Sequence, residues 1–357
     1  MKTRQLLLSL LAFLLPLTSF ADVWQDPETK VNYEFTPGKA EAQVEYSQDV
    51  SGEITILSDI TINGSKYKVT SIGSYAFYVC QSLTSVKIPS SVTSIGDSTF
   101  YVCDNLTTIS LPYTLTSIGY NAFVYCRRLA EVHITDLAAW SKIEFKTGAA
   151  NPLSNGAHLF LNDEEITDLL LPKDLTAIGP YAFWGCSSLK SITIPEGVTT
   201  IGKSAFNECS GLTSISIPSS VTSIGEGAFW DCSSLTSVII EGTPNISLYD
   251  FFSTQWYENQ PDGVVYTDNF VLGYKGTMPA STEISLKDGT TSIASYAFYG
   301  CSGLTAITIP EGVTTIGSAA FYECSGLTAI NIPSSVTTIG EYNQEIKGKT
   351  NVEIIPV

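Results

Sequence analysis

Histidine is nearly absent from this chain: His133 and His158 are the only two in 357 residues. A catalytic or metal centre built on imidazole needs further ligands at close spacing, and no Cys/His cluster accompanies either one. His133 falls at the polar position of a short alternating segment and His158 beside a turn, so both read as solvated or locally bonded side chains. Basic residues are scarce too: 18 Lys and Arg stand against 35 Asp and Glu, a net charge of −17. Such a surface repels phosphate backbones and anionic headgroups, which excludes nucleic acid as a partner. A phosphate-cradling glycine loop, a G-x-S-x-G elbow and a calcium-binding loop are also missing. The acidic run Asp163, Glu164, Glu165 and Asp168 lacks the glycine and ligand spacing of a calcium site and reads as a solvated turn. No catalytic residue, metal or cofactor is expected.

Long apolar runs are confined to the start. Lys2 and Arg4, then Leu6 to Leu17, then Ser19-Phe20-Ala21 follow the pattern of an export signal ending in a cleavage site, giving a signal peptide over 1–21. Its apolar stretch is short for a bilayer span, and no later segment is apolar enough to cross a membrane. The first cysteine is Cys80, so no lipid-bearing cysteine follows the cleavage site. The expectation is an exported chain without a transmembrane span, at the cell surface or extracellular, with the periplasm as the alternative.

What is abundant is repetition. The eight cysteines stand at 80, 103 and 126, at 186, 209 and 232, and at 301 and 324, with a step of 23 inside each group. The gap from 232 to 301 is 69, three such steps, whereas the gap of 60 from 126 to 186 is not a whole number of them. A fixed period of this length is the mark of a solenoid. Disulfides would be the usual expectation for an exported chain. All eight cysteines, however, share one place in the repeat, and stacked coils would set them about one strand spacing (~4.8 Å) apart. A disulfide favours Cβ atoms ~3.8 Å apart, so buried free thiols are expected.

One unit, Cys209 to Asp231, states the coil: CSGLTSISIPSSVTSIGEGAFWD. Leu212, Ile215 and Ile217 make an L-x-x-I-x-I pattern, of which Ile215 and Ile217 alternate as a half-buried strand does. Pro218 has no N–H to give a ladder and ends the strand. Val221 to Ile224 makes a second, shorter extended piece; Gly225 suits a bend at positive φ, and Ala228-Phe229 a helical turn. A single coil cannot bury these positions against itself, but stacked coils lay like upon like and build one core. Its phenylalanine column would be Phe77, Phe100, Phe123, Phe183, Phe206, Phe229, Phe298 and Phe321.

The motif C-x-x-L-T-S-I-x-I-P-x-x-V-T-S-I-G-x-x-A-F resembles the BspA-type leucine-rich repeat of bacterial surface proteins, and it runs through nearly all of Val69 to Gly340. The resemblance implies a right-handed, β-rich leucine-rich-repeat solenoid with a concave parallel sheet and short strands and helical turns on the convex side. It also implies a surface or secreted protein that engages host matrix proteins or other cells. Residues 22–68 read as an N-terminal β-rich cap, with Asn63-Gly64 turning a hairpin. Residues 69–340 form the solenoid, irregular at 135–165 and 241–281, and 341–357 a C-terminal cap or frayed end. Within the first irregular stretch Asp136 to Trp140 reads as a capped helical turn, and His158–Leu161 with Glu164–Ile166 as a hairpin.

Two surfaces are candidates for binding. The polar positions of the concave strands, from Lys87 and Ser110 to Thr308 and Asn331, make a flat and weakly charged face. The residue after each column phenylalanine is aromatic in six of eight coils: Tyr78, Tyr101, Trp184, Trp230, Tyr299 and Tyr322. Such rings either lie half-buried and seal the convex side, the commoner use of aromatics over a core, or form a ligand strip. Trp256 and Tyr257 of the second irregular stretch complete the candidate set. The functional expectation is an exported, non-enzymatic adhesion or interaction protein binding another protein, a host matrix or cell-surface partner, through the solenoid. Carbohydrate binding on the aromatic column and a structural spacer without a ligand are the alternatives.

Overall fold

A computed structural model describes residues 21–242 and 244–343. The expected export signal, apart from Ala21, and most of the 341–357 segment lie outside the described residues. Each regular coil gives one strand to each of two parallel ladders. The concave ladder runs through Leu83–Lys87, Thr108–Ser110, Glu131–Ile134 and His158–Leu161, each parallel to the last. It resumes with Asp168–Leu170, Ser191–Thr193, Ser214–Ile217 and Ser237–Ile240, and again with Thr282–Ser285, Leu304–Thr308 and Ala329–Asn331. The second ladder is built from two-residue rungs such as Thr200–Ile201 and Ser223–Ile224. Ser214–Ile217 stops just before Pro218, as the lost N–H requires.

At the N-terminal end, Asp22–Gln25, Asn32–Phe35 and Glu41–Glu45 form an antiparallel meander whose third strand pairs in parallel with Ser65–Ile72. The Asn63-Gly64 turn closes Asp59–Ile62 onto Ser65–Ile72, with φ of 50° and 80° at its two residues. The concave ladder already starts at Gly52–Thr55, which pairs with Leu83–Lys87.

The repeat's apolar positions point inward together. Leu212, Ile215 and Ile217 are buried, and the rings of Phe183, Phe206 and Phe229 follow one another at 5.3 and 5.7 Å with planes within 3°. The column continues to Phe251 at 5.5 Å, although the cysteine period does not reach it. The first irregular coil fills its interior differently. Trp140, at the end of the Leu137–Trp140 turn capped by Asp136, is buried and its Nε1 donates to the Ala182 carbonyl at 2.9 Å. Asn151 Nδ2 donates to the carbonyls of Tyr181 and Ala182 at 2.7 and 3.0 Å, tying that coil to the next.

The cysteines are buried, and none of the eight is in a disulfide. Sγ of Cys103, Cys126, Cys209, Cys232 and Cys324 donates to the carbonyl of the phenylalanine one coil back, at 3.0–3.1 Å. The thiol is small and apolar enough for the core and still gives one hydrogen bond between coils.

Two local expectations change. Gly225 is not in the left-handed region; a Cβ there would collide with the backbone nitrogen of Lys203 in the preceding coil. Glycine is needed for close approach of two chains, not for an unusual φ. The convex segment from Gly225 to Cys232 is a run of turns rather than a helical one. Residues two before and two after each column phenylalanine of the cysteine-bearing coils are left-handed, as at Gly227 (φ 67°) and Asp231 (φ 58°), or Tyr75 (62°) and Val79 (60°). Each such residue interrupts the right-handed run a helix needs.

Candidate binding surfaces

The aromatic column on the convex side divides in two. Tyr78, Tyr101, Trp184 and Tyr322 are half-buried, while Trp230 and Tyr299 are exposed by 45% and 39%. Tyr78 stacks on Tyr101 at 5.2 Å and Tyr299 on Tyr322 at 5.8 Å, because successive coils set like residues side by side. Trp184 is pressed onto the Gly148–Ala150 turn: its ring fills the place a Cβ of Gly148 would take. Trp256 is buried edge-on to Phe251 at 5.1 Å, and Tyr257 is half-buried with Lys275 Nζ 5.1 Å from its ring centre.

A further set of tyrosines escapes a reading of the column alone. Tyr75, Tyr296 and Tyr342 occupy left-handed positions of the convex turns, at φ of 62°, 58° and 60°, and stand out to solvent. Tyr75 meets Tyr78 at 5.7 Å, and Tyr125 meets Tyr101 at 5.5 Å, both edge to face. Tyr296 meets Tyr299 at 6.0 Å and Tyr342 meets Tyr322 at 6.5 Å in the same way. Two patches of four linked tyrosines result, one on the early coils and one on the last. The signal is present as Ser74-Tyr75-Ala76-Phe77 and Ser295-Tyr296-Ala297-Phe298. It is easily passed over, because a left-handed site leads one to look for glycine or asparagine. Glu323 beside Tyr299 pushes its phenol up, and burial does the same for Tyr249 and Tyr257, so these hydroxyls stay protonated donors.

On the concave face Leu170 and Ile239 are exposed by 72% and 50%, apolar residues on an otherwise hydroxyl-rich surface. His133 packs flat on Phe160 at 4.9 Å; its Nδ1 lies 3.0 Å from Asp163 and its Nε2 3.2 Å from Glu131. His158 Nδ1 lies 2.8 Å from Glu165. Both histidines are thus held by carboxylates of the acidic turn or its neighbouring strand. Among the described residues no group of three His, Cys, Asp or Glu side chains is arranged to hold a metal ion, and no helix is long and apolar enough to cross a membrane.

Burial pushes Cys126 and Cys186 up to about 12 and Cys80 and Cys301 up to about 11, so none of these is a thiolate near neutrality.

The family described as BspA type leucine rich repeat region (6 copies) matches residues 53–146, 154–259 and 275–354. Among solved structures, a leucine-rich cell surface protein from Faecalibacterium prausnitzii is similar at 24% identity. That likeness covers 89% of this chain and 82% of that one, with a TM-score of 0.47. A leucine-rich repeat protein from Bacteroides ovatus is similar at 24% identity, over 92% of this chain and 98% of that one, with a TM-score of 0.38. The pneumococcal vaccine antigen PcpA is similar at 22% identity, over 90% and 73%, with a TM-score of 0.34. No curated protein matches the sequence. With that repeat matched over more than half of its length, and with the parallel ladders and stacked columns the repeat demands, the chain belongs to the BspA-type leucine-rich repeat family.

Proposed function

We propose that this chain is an exported, non-enzymatic interaction protein that binds a protein partner, of host matrix or cell surface, through the convex side of its solenoid. The observation that carries the reading is the pair of four-tyrosine patches, Tyr75-Tyr78-Tyr101-Tyr125 and Tyr296-Tyr299-Tyr322-Tyr342. Packing within the solenoid requires only that the inner rings be half-covered. It does not require the outer rings, which present both an apolar face and a hydroxyl, the side-chain type that dominates protein interfaces. The family's place on bacterial surfaces supports the same reading, as does the export-signal pattern ahead of Asp22.

The test is a panel of immobilised extracellular-matrix and cell-surface proteins probed with the full chain and with a Tyr75→Ala, Tyr299→Ala, Tyr342→Ala variant. Loss of a ~2 kcal/mol hot spot weakens binding roughly 30-fold. The melting temperature should stay close to that of the parent, since the three rings are exposed. No binding to any panel member at micromolar concentration would leave the chain a spacer. Glycan-array binding that is lost on Trp230→Ala would instead favour the carbohydrate reading.

A further inference from the structure

One coil of the solenoid departs from the concave ladder. Ile239 pairs with Ser216 and Ser285 with Thr308, each partner one period away, so Ile239 and Ser285 belong to one column. Along the chain they are two periods apart, which leaves one coil between them. That coil keeps its rung on the second ladder, where Phe270-Val271 pairs with Ser292-Ile293. Toward the concave side it supplies the short helix Gln255–Glu258 and the strand Gly263–Thr267, which pairs antiparallel with Phe270–Lys275. Trp256 N–H donates to the Leu235 carbonyl at 2.6 Å and docks the helix just ahead of the strand Ser237–Ile240. A helical turn and a strand end match the pleat of that strand less closely than another rung would, and a cavity of about 270 Å³ lies between them.

The lining has two sides. Val238, Ile239, Ile240 and Trp256 make one apolar, and the exposed Ile239 and Asp268 place the mouth at the surface. Gln260, Tyr266, Thr267 and Asp268 make the other polar. Successive residues of a regular strand face opposite ways. A register shift between Val265 and Tyr266 bends the ladder here, and Tyr266 and Thr267 both border the cavity. Thr267 is 7% exposed, and among the described residues its hydroxyl has no hydrogen-bond partner. A folded chain rarely leaves such a group unanswered. Its neighbours keep capacity as well. Tyr266 Oη accepts from Lys287 N–H at 3.2 Å and Gln260 Nε2 donates to the Trp256 carbonyl at 3.1 Å; among the described residues the phenol proton and Gln260 Oε1 stay unused.

These groups select the class of occupant. An apolar molecule would leave Thr267 and Gln260 unpaired. An anion would meet Asp268, and the nearby lysines are engaged elsewhere. Lys275 Nζ donates to the carbonyls of Glu258 and Gln260 at 2.9 and 2.8 Å, and Lys287 Nζ donates to the Asp268 carbonyl while lying over the Tyr266 ring. An ammonium would use the Asp268 carboxylate but offers no acceptor to the Tyr266 proton. A ring bearing several hydroxyls both donates and accepts, and its C–H face suits the apolar side. We propose that the cavity binds one neutral pyranose, the terminal residue of a glycan, with its hydroxyls on Gln260, Tyr266, Thr267 and Asp268. The volume falls just under the ~300 Å³ at which drug-sized pockets begin, which suits a single ring. The site is separate from the tyrosine patches and from Trp230, so either reading can fail without the other.

The probes are the methyl glycosides of glucose, galactose, mannose, fucose and N-acetylglucosamine, titrated into the full chain and followed by saturation-transfer NMR. A ligand of this size binds with a Kd on the order of 1 mM, and at least one glycoside should saturate. Thr267→Val removes a hydroxyl to which the described residues offer no partner. That variant should melt no lower than the parent and bind the glycoside about fivefold more weakly. Asp268→Asn, at an exposed position where asparagine tolerates the φ of 45°, should weaken binding about tenfold. Trp230→Ala should leave it unchanged. No saturation by any glycoside up to about 50 mM overturns the site, as does equal binding by the parent and Thr267→Val. Binding lost in Trp230→Ala and kept in Thr267→Val would move the sugar to the convex column. Saturation by butylamine in place of the glycosides, abolished by Asp268→Asn, would make the cavity a lysine pocket. Either result also overturns the proposal.

Discussion

Asp250 shows how a single side chain in this solenoid serves two coils at once. Its carboxylate accepts from Gly227 N–H at 2.7 Å on the preceding coil and from Ser247 N–H at 2.8 Å within its own turn. Burial nevertheless dominates and pushes the carboxyl from 3.8 up to about 6, outweighing the two N–H donors that pull it down. The folded value lies above the unfolded one, so the native chain holds an extra proton between them. The associated stability is complete below about pH 4 and is lost as pH rises through about 6. Asp250→Asn does not titrate. Urea midpoints measured from about pH 4 to pH 7 should show the parent losing roughly 2–3 kcal/mol relative to that variant. A difference that stays flat across the range would refute the assignment. The eight thiols make the complementary case: all are buried in the core, and those of Cys209 and Cys232, for example, donate to phenylalanine carbonyls of the preceding coil.

At the scale of the coil, Gly225 and Gly227, with only Glu226 between them, do different work. Gly225 keeps its coil in contact with the backbone of Lys203, whereas Gly227 adopts φ of 67° with only side-chain atoms of Ser204 and Trp230 nearby. Asparagine tolerates the left-handed region but brings a Cβ. Gly227→Asn should therefore be close to neutral, while Gly225→Asn and Gly225→Ala should each cost about 1–3 kcal/mol by forcing the coils apart. Thermal midpoints of the three variants check this, and a Gly225→Asn variant as stable as the parent would restore the bend reading.

The same contrast explains which features are legible in the sequence. The strands, the phenylalanine column and the thiol column can be read because the same side chains return once in every period. Phe251 cannot be read so, since its coil is one residue short and carries no cysteine at its end. The contact of His133 with Asp163 spans an insertion whose length breaks the period, so spacing alone gives no partner. The outward tyrosines at positive φ are hidden because the left-handed turn positions are filled by Tyr, Val, Ser or Glu more often than by glycine.

Across the whole molecule, stability is close to a sum over neighbouring coils, because the ladders and ring columns join each regular coil to the one beside it. Length is then a free variable and register is not. Removing Ser210–Cys232, one full period, joins Cys209 to Ser233 and keeps every inward position inward. Phe206 would then meet Phe251 in place of Phe229, and Ser191–Thr193 would pair directly with Ser237–Ile240 once Ser214–Ile217 is gone. The shortened chain should fold, unfold at a slightly lower urea concentration and measure about 5 Å shorter by small-angle scattering, one strand spacing. Removing only Ser210–Val221, close to half a period, leaves more of the chain but turns the following strand out of phase. That smaller deletion should abolish cooperative unfolding, since alternating apolar residues would face water and the glycine of close approach would meet a side chain. If the smaller deletion folded as well as the larger one, the columns would not be what holds the rod together.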